Sequence, residues 1–284
     1  MGAKRVSVTE MDTWLACRME YYLKYVRRLR KKEDATAEEG VSPLISGRTI
    51  HEAIEAGILS GKGAVVAKEA ADTILSALGD QADRYKPGVE RALTSVPAFI
   101  WKLKLPQSET KFEIPYHGQD CDGTTCGLDC VLIVGKPDVW SMEKRDGIDI
   151  ITIEEFKTAS TDEKDKLDRY QAWATQPNYY AVLLNDWIVS MGKEPPLIYI
   201  RFTVLSTRGK PATVGPARLV TGSMLNYWRR HMLATAREVN NAEIIPNYGF
   251  NCNWCDVNTI CGAQLVGADP ESVIAEDYEV KGRS

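Results

Sequence analysis

The sequence predicts an α/β (α+β) fold in which a mixed β-sheet core is flanked by helices, and three observations lead there. The first hundred residues carry apolar side chains at three- and four-residue steps, the spacing of an amphipathic helix. From Lys111 the texture changes to short alternating stretches rich in β-branched and aromatic residues. A long helical stretch, a further strand and another helix follow, an order that suits a mixed sheet packed between helices.

The elements follow in order. Residues 8–32 read as a helix, with Leu15, Met19, Tyr22, Leu23 and Val26 on one face and Ser7 or Thr9 as its cap. Further helices are expected over Leu44–Leu59, Ala64–Leu78 and Val89–Leu103. Lys111–His117, Cys130–Met142 and Ile148–Lys157 read as strands, with Gly147 in the turn between the last two. A helix over Lys164–Ser190, a strand over Leu197–Leu205 and a helix over Pro216–Val239 complete the core. A cysteine-bearing loop and a polar, acidic tail from Gly267, expected to be mobile, end the chain. No internal repeat and no low-complexity stretch is found.

The composition is that of an ordinary globular chain of 284 residues, 44% hydrophobic and 26% charged. No apolar run approaches the length of a membrane span, and the first residues carry neither the apolar core of a signal peptide nor a myristoylation pattern. A cytoplasmic protein without membrane contact is therefore expected. A net charge of -4 is not that of a histone-like binder, so any phosphate affinity must come from a local cationic surface. Seven cysteines without an export signal point to metal ligation rather than a disulfide framework.

The most informative segment is Lys136-Pro137-Asp138-Val139-Trp140, followed after a hairpin by Ile153-Glu154-Glu155-Phe156-Lys157-Thr158. Adjacent strands bring Asp138 beside Glu155, and strand alternation puts Glu155 and Lys157 on one face, with Glu154 and Phe156 turned away. A hard divalent cation such as Mg²⁺ takes oxygen ligands, which Asp138, Glu155 and the Phe156 carbonyl can supply. Such a cation acidifies bound water and offsets charge on a phosphate under attack, while Lys157 orients the water or neutralises the transition state. Taken alone, an Asp and a Glu-x-Lys also fit a solvated sheet face with a surface ion pair.

Cys252, Cys255 and Cys261 form C-x2-C-x5-C, and Cys17 stands alone in the first helix. Four thiolates suit an iron–sulfur cluster or zinc, and spacing does not separate the two. A second set, His117, Cys121, Cys126 and Cys130, leaves a zinc knuckle open against a plain turn-rich loop. The runs Lys24 to Lys32 and Trp228-Arg229-Arg230-His231 are solvated helix faces or tracks for a phosphate backbone.

Two more elements give the pattern its order. Gly47-Arg48-Thr49-Ile50-His51 places a histidine early in an amphipathic helix, and Gln176 and Tyr180 lie four apart on one helical face. Here the chain resembles the RecB-like nucleases of the PD-(D/E)XK superfamily, which carry G-x-x-x-H, G-x-x-D, D/E-x-K and Q-x-x-x-Y in this order. Gly135-Lys136-Pro137-Asp138 is the second of these, and the likeness spans about Ser7 to Cys261. The lone cysteine and C-terminal triplet are similar to the iron–sulfur subset that includes AddB nuclease domains and CRISPR-associated spacer-processing nucleases. The chain departs from that pattern with Arg18 where a proline usually follows the first cysteine, and with Glu155 where Asp is commoner.

The resemblance implies a restriction-endonuclease-like fold with a helical N-terminal elaboration and a C-terminal cluster-binding loop. It implies one nuclease domain over 1–266: a mainly helical part at 1–110, the core at 111–240, and a segment at 241–266 closing on Cys17 through a [4Fe–4S] cluster. Residues 267–284 form the polar tail. His51, Asp138, Glu155 and the Phe156 carbonyl would bind Mg²⁺ or Mn²⁺, Lys157 would be the catalytic lysine, and Gln176 and Tyr180 would lie near the substrate. Cys17, Cys252, Cys255 and Cys261 would hold the cluster, with zinc as the alternative. The activity implied is DNA hydrolysis, exonucleolytic on single strands or free ends. Its settings are repair and recombination, CRISPR adaptation or phage DNA metabolism, with protein partners in a DNA-processing complex. The rivals are a non-catalytic DNA-binding or assembly protein of the same fold, and a zinc-stapled interaction module.

Overall fold

The computed structural model describes residues 4–32, 43–103, 111–117, 130–159, 167–168, 171, 174–241, 243–249, 252–253 and 255–281. The chain opens with β1 (Lys4–Ser7), α1 (Val8–Ala16), α2 (Arg18–Tyr21), a π-helical turn (Tyr22–Val26) and β2 (Leu29–Lys31). Three helices follow: α3 (Pro43–Leu59), α4 (Ala64–Ser76) and α5 (Ala82–Ser95). Then come β3 (Phe112–Tyr116), β4 (Val131–Gly135), β5 (Val139–Arg145), β6 (Ile148–Ala159), α6 (Thr175–Ser190) and β7 (Leu197–Ser206). The rest is β8 (Thr213–Val214), β9 (Arg218–Val220), α7 (Gly222–Asn241), α8 (Asn258–Leu265), α9 (Pro270–Asp277) and β10 (Tyr278–Val280). The strands form sheets ordered β1-β4-β3, β10-β2 and β5-β6-β7-β8, with β9 also on β7. The predicted mixed sheet with flanking helices is therefore observed. None of the described helices is long and apolar enough to cross a membrane.

The chain divides into two compact units, Met1–Glu39 with Pro115–Ile133 and Arg230–Ser284, and Gly40–Ile114 with Val134–Arg229. The second unit is built on β6. The β5–β6 hairpin turns through Asp146 and Gly147, whose φ values of 50° and 84° suit a two-residue turn that matches strand twist. A parallel β7 pairs along almost the whole of β6, from Ile150↔Leu197 to Ala159↔Ser206. Strands joined in this way need a crossover, which α6 supplies.

Strand alternation gives the two faces of β6 different coverings. Phe156 faces a core made with Ile50, Ile54, Val89, Ile100 and Leu205, most of it from α3 and α5. On that face fully buried Glu154 accepts from Arg201, whose guanidinium also lies over the Phe99 ring at 4.3 Å. Ile151, Ile153, Ile198 and Ile200 are buried on the other face. Phe112, Trp140 and Trp187 pack as an aromatic trio with ring centroids 5.3–6.0 Å apart.

Gly135 allows α6 to approach β4, because a Cβ there would lie 2.6 Å from Leu183 Cδ1 and 3.1 Å from Tyr180 Cδ1. Gly135→Ala is expected to cost about 1–3 kcal/mol in urea unfolding, the usual penalty of overpacking. Gly47→Ala, whose Cβ would meet only Thr158 Oγ1 at 3.7 Å, is expected to be neutral or slightly stabilising in the same measurement.

The first unit corrects the expectation of one helix over residues 8–32. Helix α1 has its capping box, Ser7 with Glu10, but ends at Cys17, where φ is -160° and ψ 118°. Local contacts explain the break: the Asn247 N–H donates to Cys17 Sγ at 3.4 Å and the Asn247 amide donates to the Ala16 carbonyl at 3.1 Å. Arg28, with φ 57°, then turns the chain into β2, which pairs antiparallel with β10. The stretch after Gly267, expected as a mobile tail, instead forms α9 and β10, with Ile274 and Tyr278 packed on Leu23, Leu29, Val257 and Ile260.

Four basic residues of the first run are spent on this packing. Lys24 pairs with Glu20 and Asp256, Arg27 with Glu271 and Arg30 with Glu279, while Lys32 donates to the Ala275 and Glu276 carbonyls. Three are ion pairs and the fourth a donor to main-chain carbonyls within the first unit, so these four are not a free track for phosphates.

Three other expected boundaries shift. The strand expected over Cys130–Met142 is two strands, because Pro137 has no N–H to continue a ladder. The helix expected over Val89–Leu103 ends at Ser95, just before Val96, which is extended ahead of Pro97. The helix expected over Pro216–Val239 is preceded by β9 and begins at Gly222. Most of residues 164–173, read as the start of a long helix, and Cys121 and Cys126 of the second cysteine set lie outside the described residues.

Candidate active site

Asp138, one residue ahead of the pair Val139↔Glu154, falls beside Glu155 at the end of the β5–β6 hairpin. Its Oδ1 lies 3.1 Å from His51 Nδ1, and its Oδ2 accepts from the Phe156 N–H at 2.9 Å. Glu155 is 2% exposed; Oε1 accepts from Lys157 Nζ at 2.7 Å, and Oε2 is buried without a hydrogen-bond partner among the described residues. The structure thus brings together His51, Asp138, Glu155, the Phe156 main chain and Lys157. Glu154 faces away, as strand alternation requires. Tyr180 packs beside Gly135, whereas Gln176, one turn earlier on α6, is half-buried with no hydrogen bond among the described residues.

The charges at this site are unbalanced. Burial raises the Asp138 pKa, but His51, Lys157 and the Phe156 N–H outweigh it and leave the carboxyl below its ordinary range. Burial, then the Asp138 charge, push Glu155 up to about 7, with Lys157 only partly offsetting them. Burial also disfavours the His51 imidazolium, yet Asp138 prevails and the net direction is upward. Two adjacent carboxylates, one of them with a buried oxygen that has no hydrogen-bond partner among the described residues, are oxygen donors of the kind a hard divalent cation takes. Among the described residues no three His, Cys, Asp or Glu side chains already stand in the close grouping of a formed metal site. This holds for the four cysteines as well as for the present site, where His51 is turned onto Asp138 and one Glu155 oxygen onto Lys157.

The sequence model of the PD-(D/E)XK nuclease superfamily matches residues 5–262, nearly the whole chain. The chain belongs to that superfamily. PD-(D/E)XK nucleases generally use Mg²⁺ or Mn²⁺, which fits the oxygen donors at Asp138 and Glu155. No curated protein sequence matches the chain. Among solved structures, a protein from Eubacterium rectale described as "Putative exonuclease" aligns with a TM-score of 0.50 and 14% identity, covering 90% of this chain and 88% of that one. At that identity the likeness speaks for the fold alone. A second structure, SSO0001, aligns over 90% of this chain and 95% of its own at 12% identity, with a TM-score of 0.31 that carries no weight.

A separate grouping lies in the first unit. Cys17, Cys252, Cys255 and Cys261 line one cavity of about 210 Å³ together with Tyr248 and Leu265. All four are free thiols. The Asn247 N–H donates to Cys17 Sγ and the Gly249 N–H to Cys252 Sγ, each at 3.4 Å. Burial pushes the Cys255 thiol up to about 11; burial, then Cys17 and Cys252, raise Cys261. Of the second cysteine set, exposed His117 and buried Cys130 alone lie among the described residues.

Sequence reasoning missed two features beside the PD-(D/E)XK motifs. Lys136 Nζ pairs with Glu55 at 2.8 Å. The Arg218 guanidinium donates to the buried Asn178 side-chain carbonyl at 3.1 Å. No signal in the sequence marked Arg218, because its segment reads as the start of a helix.

Proposed function

We propose that the chain is a Mg²⁺- or Mn²⁺-dependent deoxyribonuclease of the RecB-like type, acting exonucleolytically on single-stranded DNA or free ends. The observation that carries this reading is the Asp138–Glu155 pair, with a buried Glu155 oxygen lacking a hydrogen-bond partner among the described residues and Lys157 adjoining the other. A retired site has no reason to keep two carboxylates at this energetic cost. In this reading Asp138, Glu155, the Phe156 carbonyl and His51 hold the cation. The cation supplies Lewis acidity toward water and the scissile phosphate. Lys157, hydrogen-bonded to Glu155, orients the attacking water and offsets charge that develops on the phosphate. The Phe156 N–H fixes the Asp138 carboxylate, and Gln176 and Tyr180 support the substrate strand from α6.

In the same reading Cys17, Cys252, Cys255 and Cys261 hold a [4Fe–4S] cluster. The four thiols around one cavity, and the backbone N–H groups aimed at two of them, support it. The setting is a DNA-processing complex.

End-labelled single- and double-stranded DNA, digested with Mg²⁺, Mn²⁺ or EDTA, tests the nuclease. Wild type is expected to release short products from ends, to spare circular DNA, and to stop in EDTA. Lys157→Ala is expected to slow digestion by about 10²–10³-fold. Equal digestion by wild type and Lys157→Ala would refute the assignment.

A further inference from the structure

Backbone pairing places Arg218 with the active-site carboxylate. Ile200 of β7 is paired on one side with Ile153 of β6 and on the other with Arg218 of β9. Residues directly paired across a sheet point to the same face, and alternation carries that face from Ile153 to Glu155 and Lys157. Arg218 therefore shares the sheet face of Glu155 and Lys157. It lies two strands across and two residues along, a Cα separation of roughly 12 Å from strand geometry. Burial agrees, since Arg218 and Val220 are covered to different degrees while Leu219 between them is exposed.

The surroundings of this guanidinium lack what arginines in folded proteins usually find. Its one hydrogen bond among the described residues goes to the neutral Asn178 carbonyl, and no carboxylate there pairs with it. Asn178 is itself held by its amide, which donates to the Ala174 carbonyl at 2.7 Å, two residues from Gln176. The side chain is thus fixed from one edge, leaving further donors of the planar fork for an anion. Burial also pulls the Arg218 pKa down, the mark of a cation without a counter-charge. Elsewhere in this unit Arg201 and Arg229 each have a carboxylate, Glu154 and Asp186.

We propose that Arg218, positioned by Asn178, binds a backbone phosphate of the nucleic-acid strand next to the phosphate being cut. The inference rests on the nuclease reading and adds a binding residue to it. A phosphate contact contributes to affinity and to its salt dependence, not to the chemical step, so its loss raises KM with little change in kcat.

The test compares wild type, Arg218→Gln, Arg218→Lys and Arg145→Gln, the last an exposed residue at the far end of β5. Binding of a fluorescent single-stranded oligonucleotide is measured in EDTA over a series of KCl concentrations, and digestion kinetics are measured in Mg²⁺. Arg218→Gln is expected to weaken binding about tenfold, to reduce the slope of log affinity against log salt by about 0.7, and to raise KM alone. Arg218→Lys should keep the slope while losing part of the affinity, and Arg145→Gln should match wild type. An unchanged slope and KM in Arg218→Gln, or a lowered melting temperature with no change in slope, would make Arg218 a structural clamp and overturn the proposal. If wild type neither binds nor digests DNA, or digests it without need of Lys157, the nuclease reading falls and this proposal with it. Lys157-dependent digestion with an unaltered Arg218→Gln slope removes this proposal alone.

Discussion

Glu155→Gln is expected to abolish nuclease activity and, in the metal-free protein above pH 7, to raise stability. The activity loss, about 10³-fold or more, follows from the proposed function, in which Glu155 is a charged ligand of a cation that acidifies water and faces a phosphate. The stability gain follows from the sign of the pKa change. Glu155 is pushed from its ordinary 4.5 to about 7, so the folded chain holds this proton more tightly than the unfolded chain does. That contribution is fully present below about pH 4.5 and is lost as the pH rises through about 7. At pH 8 the metal-free wild type therefore carries a buried carboxylate beside Asp138, and the neutral amide does not. The gain should be about 1–3 kcal/mol, seen as a rise of several degrees in melting temperature in EDTA. Mg²⁺ should stabilise wild type at pH 8 and leave Glu155→Gln unmoved. A variant less stable than wild type in EDTA at pH 8, or equal stabilisation of both by Mg²⁺, would remove Glu155 from the metal site.

The parts of this arrangement that were legible in the sequence are those that a local period encodes. Alternation along Ile148–Lys157 set Glu155 and Lys157 on one face and Glu154 on the other, and Glu154 indeed turns to Arg201. Gly147 marked the hairpin, which brought Asp138 level with Glu155. What could not be read depends on partners far away in the chain. Cys17 lies in a run with good helical spacing, yet the helix breaks there, where Asn247, 230 positions on, donates to its sulfur. The basic run after Tyr22 had every mark of a solvated helix, yet its residues Leu29–Lys31 pair with a strand at Tyr278–Val280. Arg218 sits where proline, glycine and a following helix obscure a three-residue strand, so its sheet face could not be assigned without the β7 register. Gly135 belongs to both categories: the motif flagged it, but its physical reason, the approach of Leu183 and Tyr180, needs the position of α6.

Cys17→Ser and Cys261→Ser are expected to yield colourless protein, without iron or labile sulfide, that melts roughly 10 °C or more below anaerobically purified wild type. The size comes from the connectivity of the first unit, whose first and last segments are separated in sequence by the whole of the second. Its first segment carries Cys17, and its last carries Cys252, Cys255 and Cys261. The apolar packing between these segments is modest: Leu23 and Leu29 against Val257, Ile260, Ile274 and Tyr278. The other ties among the described residues are the three-residue β2–β10 ladder, the hydrogen bonds of Lys32 and Asn247, and partly exposed ion pairs such as Arg27–Glu271 and Arg30–Glu279, each pair worth about 1 kcal/mol or less. A covalent link between Cys17 and the triplet would restrict a loop of more than 200 residues in the unfolded chain, about 5 kcal/mol by chain entropy alone. Cys130→Ser serves as the control, because that thiol is buried by the β4 start, outside the four-cysteine cavity, and its loss should leave iron content unchanged. Wild type that carries zinc and no iron would replace the cluster with a zinc staple. Full iron content in Cys17→Ser would show that the lone cysteine is no ligand, and the first segment would then be held without it, by the β2–β10 ladder, packing, hydrogen bonds and ion pairs.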